Sequence, residues 1–311
     1  MAFTKSELFS RKSKHGLFTV VQNPASSVGE IFFVNSTHGN ATDAVTHGRQ
    51  PEGPFATIDY AIGQASASTG DIIYVNPHHT ETITTAITMD KIGLSIIGLG
   101  RGMNMPIITP NAAIDAVTMT AAGSTLSRIR FAAPGVTEQT ADINIAAAYC
   151  SVINTSHIVS ASATMKINVL TATADADDCL LRKIRIYQPT HLESDGGGIA
   201  IEGALTNLEI DDVYTFCTGG DGFALGALYD GATATGLNIH DSGFMNDKAD
   251  TVCVELGNNS VGVMKHVAIN GRHSTLASNM TISSGMAYHM TFAVEKAGRS
   301  GYVCPIVDAD A

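Results

Sequence analysis

Short stretches in which branched apolar residues alternate with small or polar ones run along most of this chain, as in Ile143-Asn144-Ile145 and Ile199-Ala200-Ile201. That period of two predicts strands with one buried face and one outer face. The stretches also repeat. Six imperfect copies begin with AVTMTAAGSTLSRIRF (116–131) and DINIAAAYCSVINTSHI (142–158) and end with TVCVELGNNSVGVMKHVAIN (251–270). Each copy reads as a strand, a small-residue bend and a second strand. The leading apolar residues are Val117, Ile143, Ile167, Ile199, Phe223 and Val252, spaced by 26, 24, 32, 24 and 29 residues. Constant strands joined by variable loops describe a solenoid. A repeat of this length predicts an all-β parallel β-helix. Its interior should be lined by Ile143, Ile145, Ile167, Val169, Ile199, Ile201, Val252 and Val254.

Other folds fit less well. A sandwich needs tight hairpins, and no Asn-Gly or Asp-Gly pair joins two alternating strands. A doubly wound sheet needs helices between strands, and segments such as 172–178 are too short for them. One helix is predicted, over 55–65. Phe55, Ile58, Ala61, Ile62 and Ala65 share a helical face there, and Pro54 sits where a helix can begin. It is well placed to cover the open N-terminal end of the coil, which would otherwise template aggregation. The expected organisation is an extended arm over 1–30, the β-helix with its capping helix over 31–271, and C-terminal strands over 272–311.

Composition narrows the class. Charged residues are 15%, there is no Trp, and the net charge is −11. Nucleic acid is therefore not expected as a partner for so acidic a surface. No apolar run is long enough to span a membrane. The N-terminus is interrupted by Lys5, Glu7, Arg11, Lys12 and Lys14, so no signal peptide is read, and folding in a reducing cytoplasm is expected. The cysteines (Cys150, Cys179, Cys217, Cys253 and Cys304) are odd in number and lack a C-x-x-C pair, which argues for buried thiols rather than a disulfide framework or zinc site. The charge is uneven. Residues 1–15 carry +3, leaving −14 for the remainder.

The segment IFFVNSTHGNATDAVTHGRQPEGPFATIDYAIGQASASTGDIIYVNPHHTETI resembles the opening of pectate-lyase-like, right-handed β-helix proteins. Matching positions include Gly48, Pro51, Pro54, Phe55, Thr57, Ile58, Ala61, Ile62, Gly70, Asp71, Ile73, Val75, Pro77, Glu81 and Ile83, and LSIIGLG (94–100) continues the match. This version is similar to virion proteins of tailed bacteriophages. The resemblance implies a right-handed β-helix. It implies little about chemistry, because one fold hosts enzymes and inert scaffolds alike.

Candidate chemistry is sparse. Glycan hydrolysis needs two carboxylates roughly 5–10 Å apart, a spacing that coils stacked at ~4.8 Å can provide. The fallback catalytic candidates are Asp177, Asp178, Asp211 and Asp212, with Arg182, Lys183 and Arg185 as nearby bases for a lyase. Asp-rich turns are common in any solenoid, however. Several of the few Tyr and Phe fall at strand positions expected in the core, which leaves little for a sugar to stack on. His78-His79 reads as turn residues, since neighbours in a strand face opposite ways. No catalytic site, metal or cofactor is expected.

The resemblance to virion proteins, the missing signal peptide and the basic arm together lead to a structural virion protein. The favoured form is a capsid decoration (cement) protein on the major capsid protein lattice, self-associated as a homotrimer. Capsid or subunit contacts are expected from Phe3, Lys5, Leu8, Phe9, Arg11, Lys12, Lys14, Leu17 and Phe18. The alternative is a tailspike or receptor-binding β-helix that binds or cleaves host surface polysaccharide.

Overall fold

In the computed structural model, the described residues are 9–12, 18–20, 29–133, 139–158, 165–188, 196–217, 222–249, 251–257, 259–272, 280–289, 292–295 and 301–303. They form a right-handed parallel β-helix of three long sheets, with ten, ten and eight strands. The first sheet runs from Ile31–Val34 through Leu180–Arg182 and Glu209–Asp211 to Met286–His289. The second runs from Thr80–Ile83 through Arg185–Gln188 and Tyr214–Cys217 to Phe292–Glu295, and Gly301–Val303 adds one antiparallel strand at its edge. The third runs from Ile87–Met89 through Gln139–Ile145 to Met280–Ile282. Parallel stacking therefore continues past residue 271, because the strands at 280–282, 286–289 and 292–295 pair onto the preceding coil.

The interior is built from stacked columns. In the third sheet, Val117, Ile143, Val169, Ile199, Leu228 and Val254 lie in register from coil to coil. All are buried. Each such side chain contributes about 1.5–3 kcal/mol on burial. The expected column is corrected at Ile167 and Val252. Ile167 pairs with Ala141 and Gly197, one step before the core column. It packs with Ala141, Leu170 and Ala200 in a separate cluster away from the main core. Val252 precedes its strand and is only half-buried, while Val254 takes the column position. Phe223 is buried, but it precedes the strand Gly226–Asp230 whose Leu228 fills the column. Spacing alone misplaced these positions because the loop before each strand varies in length.

The corner between the first and second sheets is a two-residue bend. Its first residue is left-handed in six successive coils: Arg128, Asn154, Lys183, Asp212, Asp241 and His266, with φ between 51° and 58°. Its second residue is buried: Ile129, Thr155, Ile184, Val213, Ser242 and Val267. The left-handed residue turns its N–H along the rod, where it donates to the end of the next strand. Arg128 reaches the Ile153 carbonyl, Asn154 that of Arg182, Lys183 that of Asp211 and Asp212 that of His240. A second left-handed ladder precedes the first sheet at Gly93, Gly123, Tyr149, Asp178 and Asn207. Gly, Asn and Asp tolerate this conformation well, which explains the Asp-rich turns.

The helix is Ile58–Gln64, shorter than expected. Thr57 is its N-cap, with its hydroxyl accepting from the Tyr60 N–H, while Phe55 is still extended and bonded to Phe33. Pro54 is therefore outside the helix. Its buried face, Ile58, Ala61 and Ile62, joins the main core and packs against the strands at 31–34, 72–75 and 87–89. The opening motif is structural throughout. Gly48 has φ +80°, and a Cβ there would lie 2.0 Å from the Phe55 ring. Asp71 is buried and accepts from the Glu30 and Ser66 N–H groups. His79 is buried and accepts from the Ser36 N–H, while its other nitrogen contacts Glu81, which in turn accepts from the Ile58 N–H. Cys150, Cys179 and Cys253 are buried free thiols, and Cys217 is buried too. Cys304 lies outside the described residues.

Of the segment 1–30, Phe9–Lys12 and Phe18–Val20 form a two-stranded antiparallel pair. Phe9, Arg11, Lys12 and Phe18 sit on these two strands. Phe3, Lys5, Leu8, Lys14 and Leu17 lie outside the described residues.

Candidate functional site

The first sheet places one group of ionisable side chains on its outer face. Leu181, Ile210, Ile239 and Met264 point inward and are fully buried. Their neighbours therefore point outward and stack in register: Arg182, Asp211, His240 and Lys265, with Glu209 two residues before Asp211. The recurrence of 182, 211 and 240 at 29-residue intervals brings them together.

Arg182 clamps both carboxylates. Its Nη2 donates to Glu209 Oε1 at 2.9 Å and its Nε to Asp211 Oδ2 at 2.5 Å. His240 lies on the other side, with Nδ1 3.3 Å from Asp211 and Nε2 3.4 Å from Glu209. Its Nδ1 is also 3.0 Å from Asp241, which reaches His266 Nδ1 at 3.2 Å. Burial opposes the charge on His240, yet the carboxylates of Asp241, Asp211 and Glu209 outweigh it and hold the imidazole above its ordinary value. The His240 hydrogen bond in turn holds Asp241 below the usual carboxylate value. The Asp211 hydrogen bond is the largest influence raising Arg182.

Glu209, Asp211 and His240 could together offer three ligand atoms to a cation, all within 4.8 Å of one another. Arg182 already engages both carboxylates, so a metal ion would have to displace the guanidinium. The chemistry of this donor set fits an ion-pair network better than a metal centre.

The sequence-derived candidates separate. Asp211 joins the cluster. Asp212, at the left-handed corner, turns away and pairs with Arg185 Nη2 at 2.7 Å. Asp177 and Asp178 lie before the strand Leu180–Arg182, at its other end. Asp177 accepts from the Thr206 N–H at 2.6 Å, and Asp178 accepts from Asn207 Nδ2 at 2.9 Å. Glu209 and His240 were not anticipated from sequence. The 29-residue interval would have found His240, but only with the coil register known.

A second polar group lies inside the coil. His157 points inward, stacked on Phe131 with ring centroids 5.0 Å apart. Its Nδ1 is 2.7 Å from Asp142 Oδ2 and its Nε2 is 3.1 Å from the Thr155 hydroxyl. Gln139 and Asn168 donate to the same Asp142 carboxylate. All five are buried, so this network is part of the core rather than a surface site. The aromatic residues divide between core and surface. Phe32, Phe131, Phe223 and Phe244 are core, but Tyr187 and Phe216 are 53% and 39% exposed on the outer face of the second sheet. Their inward neighbours Ile186, Thr215 and Cys217 are buried.

No family model and no curated protein matches this sequence. Solved structures share its β-helix. A rhamnogalacturonan lyase is 12% identical with a TM-score of 0.42, over 78% of this chain and 74% of that one. Pectate lyase Pel9A is 10% identical with a TM-score of 0.42, over 85% and 80%. ORF18 of Geobacillus virus E2 is 12% identical with a TM-score of 0.34, over 84% and 60%. At these identities the likeness concerns fold alone.

Proposed function

We propose that this chain is a structural virion protein of a tailed phage, a decoration protein held on the major capsid protein lattice by its N-terminal segment and associated as a homotrimer. The observation that carries this reading is the use made of the candidate carboxylates. Asp177 and Asp178 brace turns, Asp212 holds a corner arginine, and Asp211 is clamped by Arg182. Each is engaged in holding one coil to the next, as a rod that displays a surface requires. The N-terminal segment adds +3 over residues 1–15 to a remainder that carries −14 overall, a charge contrast suited to an acidic partner surface. Labelling the protein on intact particles tests the reading. Density in regular array over the capsid is expected, and density confined to the tail would overturn it.

A second reading, a tailspike or receptor-binding β-helix that binds or cleaves host polysaccharide, is favoured by one observation: the convergence of Glu209, Asp211 and His240 on an outer face. Release of oligosaccharide from host surface glycans by the purified protein, lost in Asp211→Asn, would establish it.

A further inference from the structure

A cleft of about 550 Å³ opens outside the corner between the first and second sheets. Arg101, Arg128, Lys183 and Arg185 line it, with Asn154 and Ser156 among the polar groups between them. No acidic residue is among the described residues that line it. Four cations facing one cavity are unexpected on a chain with net charge −11. The ion pair in reach of this group is that of Arg185 with Asp212. Arg101, Arg128 and Lys183 have no ion pair among the described residues.

The sequence has gone against local preference to place these cations. Arg128 and Lys183 occupy left-handed corner positions with φ 57° each, flanking Asn154 at 58°. The corner favours Asn, Asp or Gly, and of the other four coils three use Asn154, Asp212 and Asp241 there and one uses His266. Strained backbone that carries a long basic side chain into a cavity is the kind of outlier that points to binding.

An aromatic strip adjoins the cleft at Arg185. Arg185 lies on the outer face of the second sheet, with its guanidinium 4.5 Å from the Tyr214 ring centroid. Tyr187 follows on the same face of the same strand and stands in register with Phe216. Tyr214 and Phe216 are nearly coplanar in orientation, with an interplanar angle of 10° and centroids 6.2 Å apart. Guanidinium groups match planar oxyanions through forked hydrogen bonds, and exposed ring faces match the C–H faces of a pyranose. The cavity is too large for a lone inorganic ion and suits one or two sugar units.

We infer that this corner cleft and the adjoining Tyr187–Phe216 strip form a binding site for an acidic oligosaccharide, with the anionic groups at Arg101, Arg128 and Lys183, Arg185 held between Asp212 and the Tyr214 ring, and a sugar face against the aromatic rings. The site is separate from the Glu209–Asp211–His240 cluster and does not depend on capsid attachment. It is read on the purified full chain, so its failure and the failure of the capsid role are distinguishable. Calorimetric titration with a hyaluronan tetrasaccharide tests a carboxylate, and a heparin-derived tetrasaccharide tests a sulfate. Maltotetraose is the neutral control, and tetra-aspartate and oligo-dT are the non-saccharide anions. At least one acidic saccharide should bind, more weakly as salt rises. Arg128→Asn with Lys183→Asn should weaken it at least tenfold without lowering the melting temperature, because Asn suits both corners. Tyr187→Ala, with every cation intact, should weaken it severalfold. Binding of neither acidic saccharide, equal binding of maltotetraose, tetra-aspartate or oligo-dT, or unchanged affinity in either variant would overturn the assignment.

Discussion

His157 shows how much a single residue carries here. It sits among aliphatic and aromatic side chains, yet both ring nitrogens have partners in Asp142 and Thr155. Removing His157 takes one of three side-chain partners from the buried Asp142 carboxylate, leaving Gln139 and Asn168, a loss of about 1–3 kcal/mol for a buried hydrogen-bonding group. His157→Ala should lower urea-unfolding stability by that order. The double variant His157→Ala with Asp142→Ala should lose much less than the sum of the two single losses. Additive losses would show that the two groups do not interact. His240 gives a different residue-scale test, in pH. Its folded-state value is raised above the ordinary 6.5. Its contribution to stability is therefore complete below about pH 6.5. It is lost as the pH rises through the higher folded-state value. His240→Asn should flatten the dependence of melting temperature on pH over that window while leaving the acid limb, which belongs to carboxylates, in place. A wild-type melting temperature that rises across the window would contradict the pairing.

At the scale of the element, the strands were legible wherever branched residues alternate, as at Ile143-Asn144-Ile145 and Ile199-Ala200-Ile201. Burial on one face imposes that pattern, and nothing else in a sequence mimics it well over several coils. The register was less legible. Ile167 and Val169 look equivalent in sequence, yet Val169 joins the main core while Ile167 is buried in a separate cluster beside Ala141, Leu170 and Ala200. The helix was found by its apolar face but given too early a start, since Phe55 serves an extended pairing while Thr57 makes the cap. The corner ladder was hidden because Arg, Asn, Lys, Asp and His share no side-chain property, only a backbone conformation that costs non-glycine residues about 1–2 kcal/mol. For the same reason Glu209 and His240 were missed while Asp211 was found: their meeting depends on stacking, not on any local motif. The core column itself can be tested. Ile199→Asp would bury an unpaired charge between Val169 and Leu228 and should cost several kcal/mol or abolish folding. Near-wild-type unfolding of that variant, followed by circular dichroism, would show that the column is not continuous.

The molecule as a whole is an acidic rod of stacked coils with a cationic N-terminal segment. Its stability is distributed among neighbouring coils, so the segment should be removable without unfolding the rod. Ordering such a segment costs about 1–2 kcal/mol per fixed residue. Charge contacts alone cannot offset that, so apolar anchors are required, and Phe3, Leu8, Phe9, Leu17 and Phe18 are the residues to supply them. Repetition of the contact across a trimer would raise its effective concentration. Quantitative binding of the full chain and of a chain lacking residues 1–20 to purified, undecorated capsids at physiological salt tests the proposed role most directly. The account predicts a folded, soluble β-helix that no longer decorates capsids once the segment is removed, whereas equally tight binding by the truncated chain would contradict it.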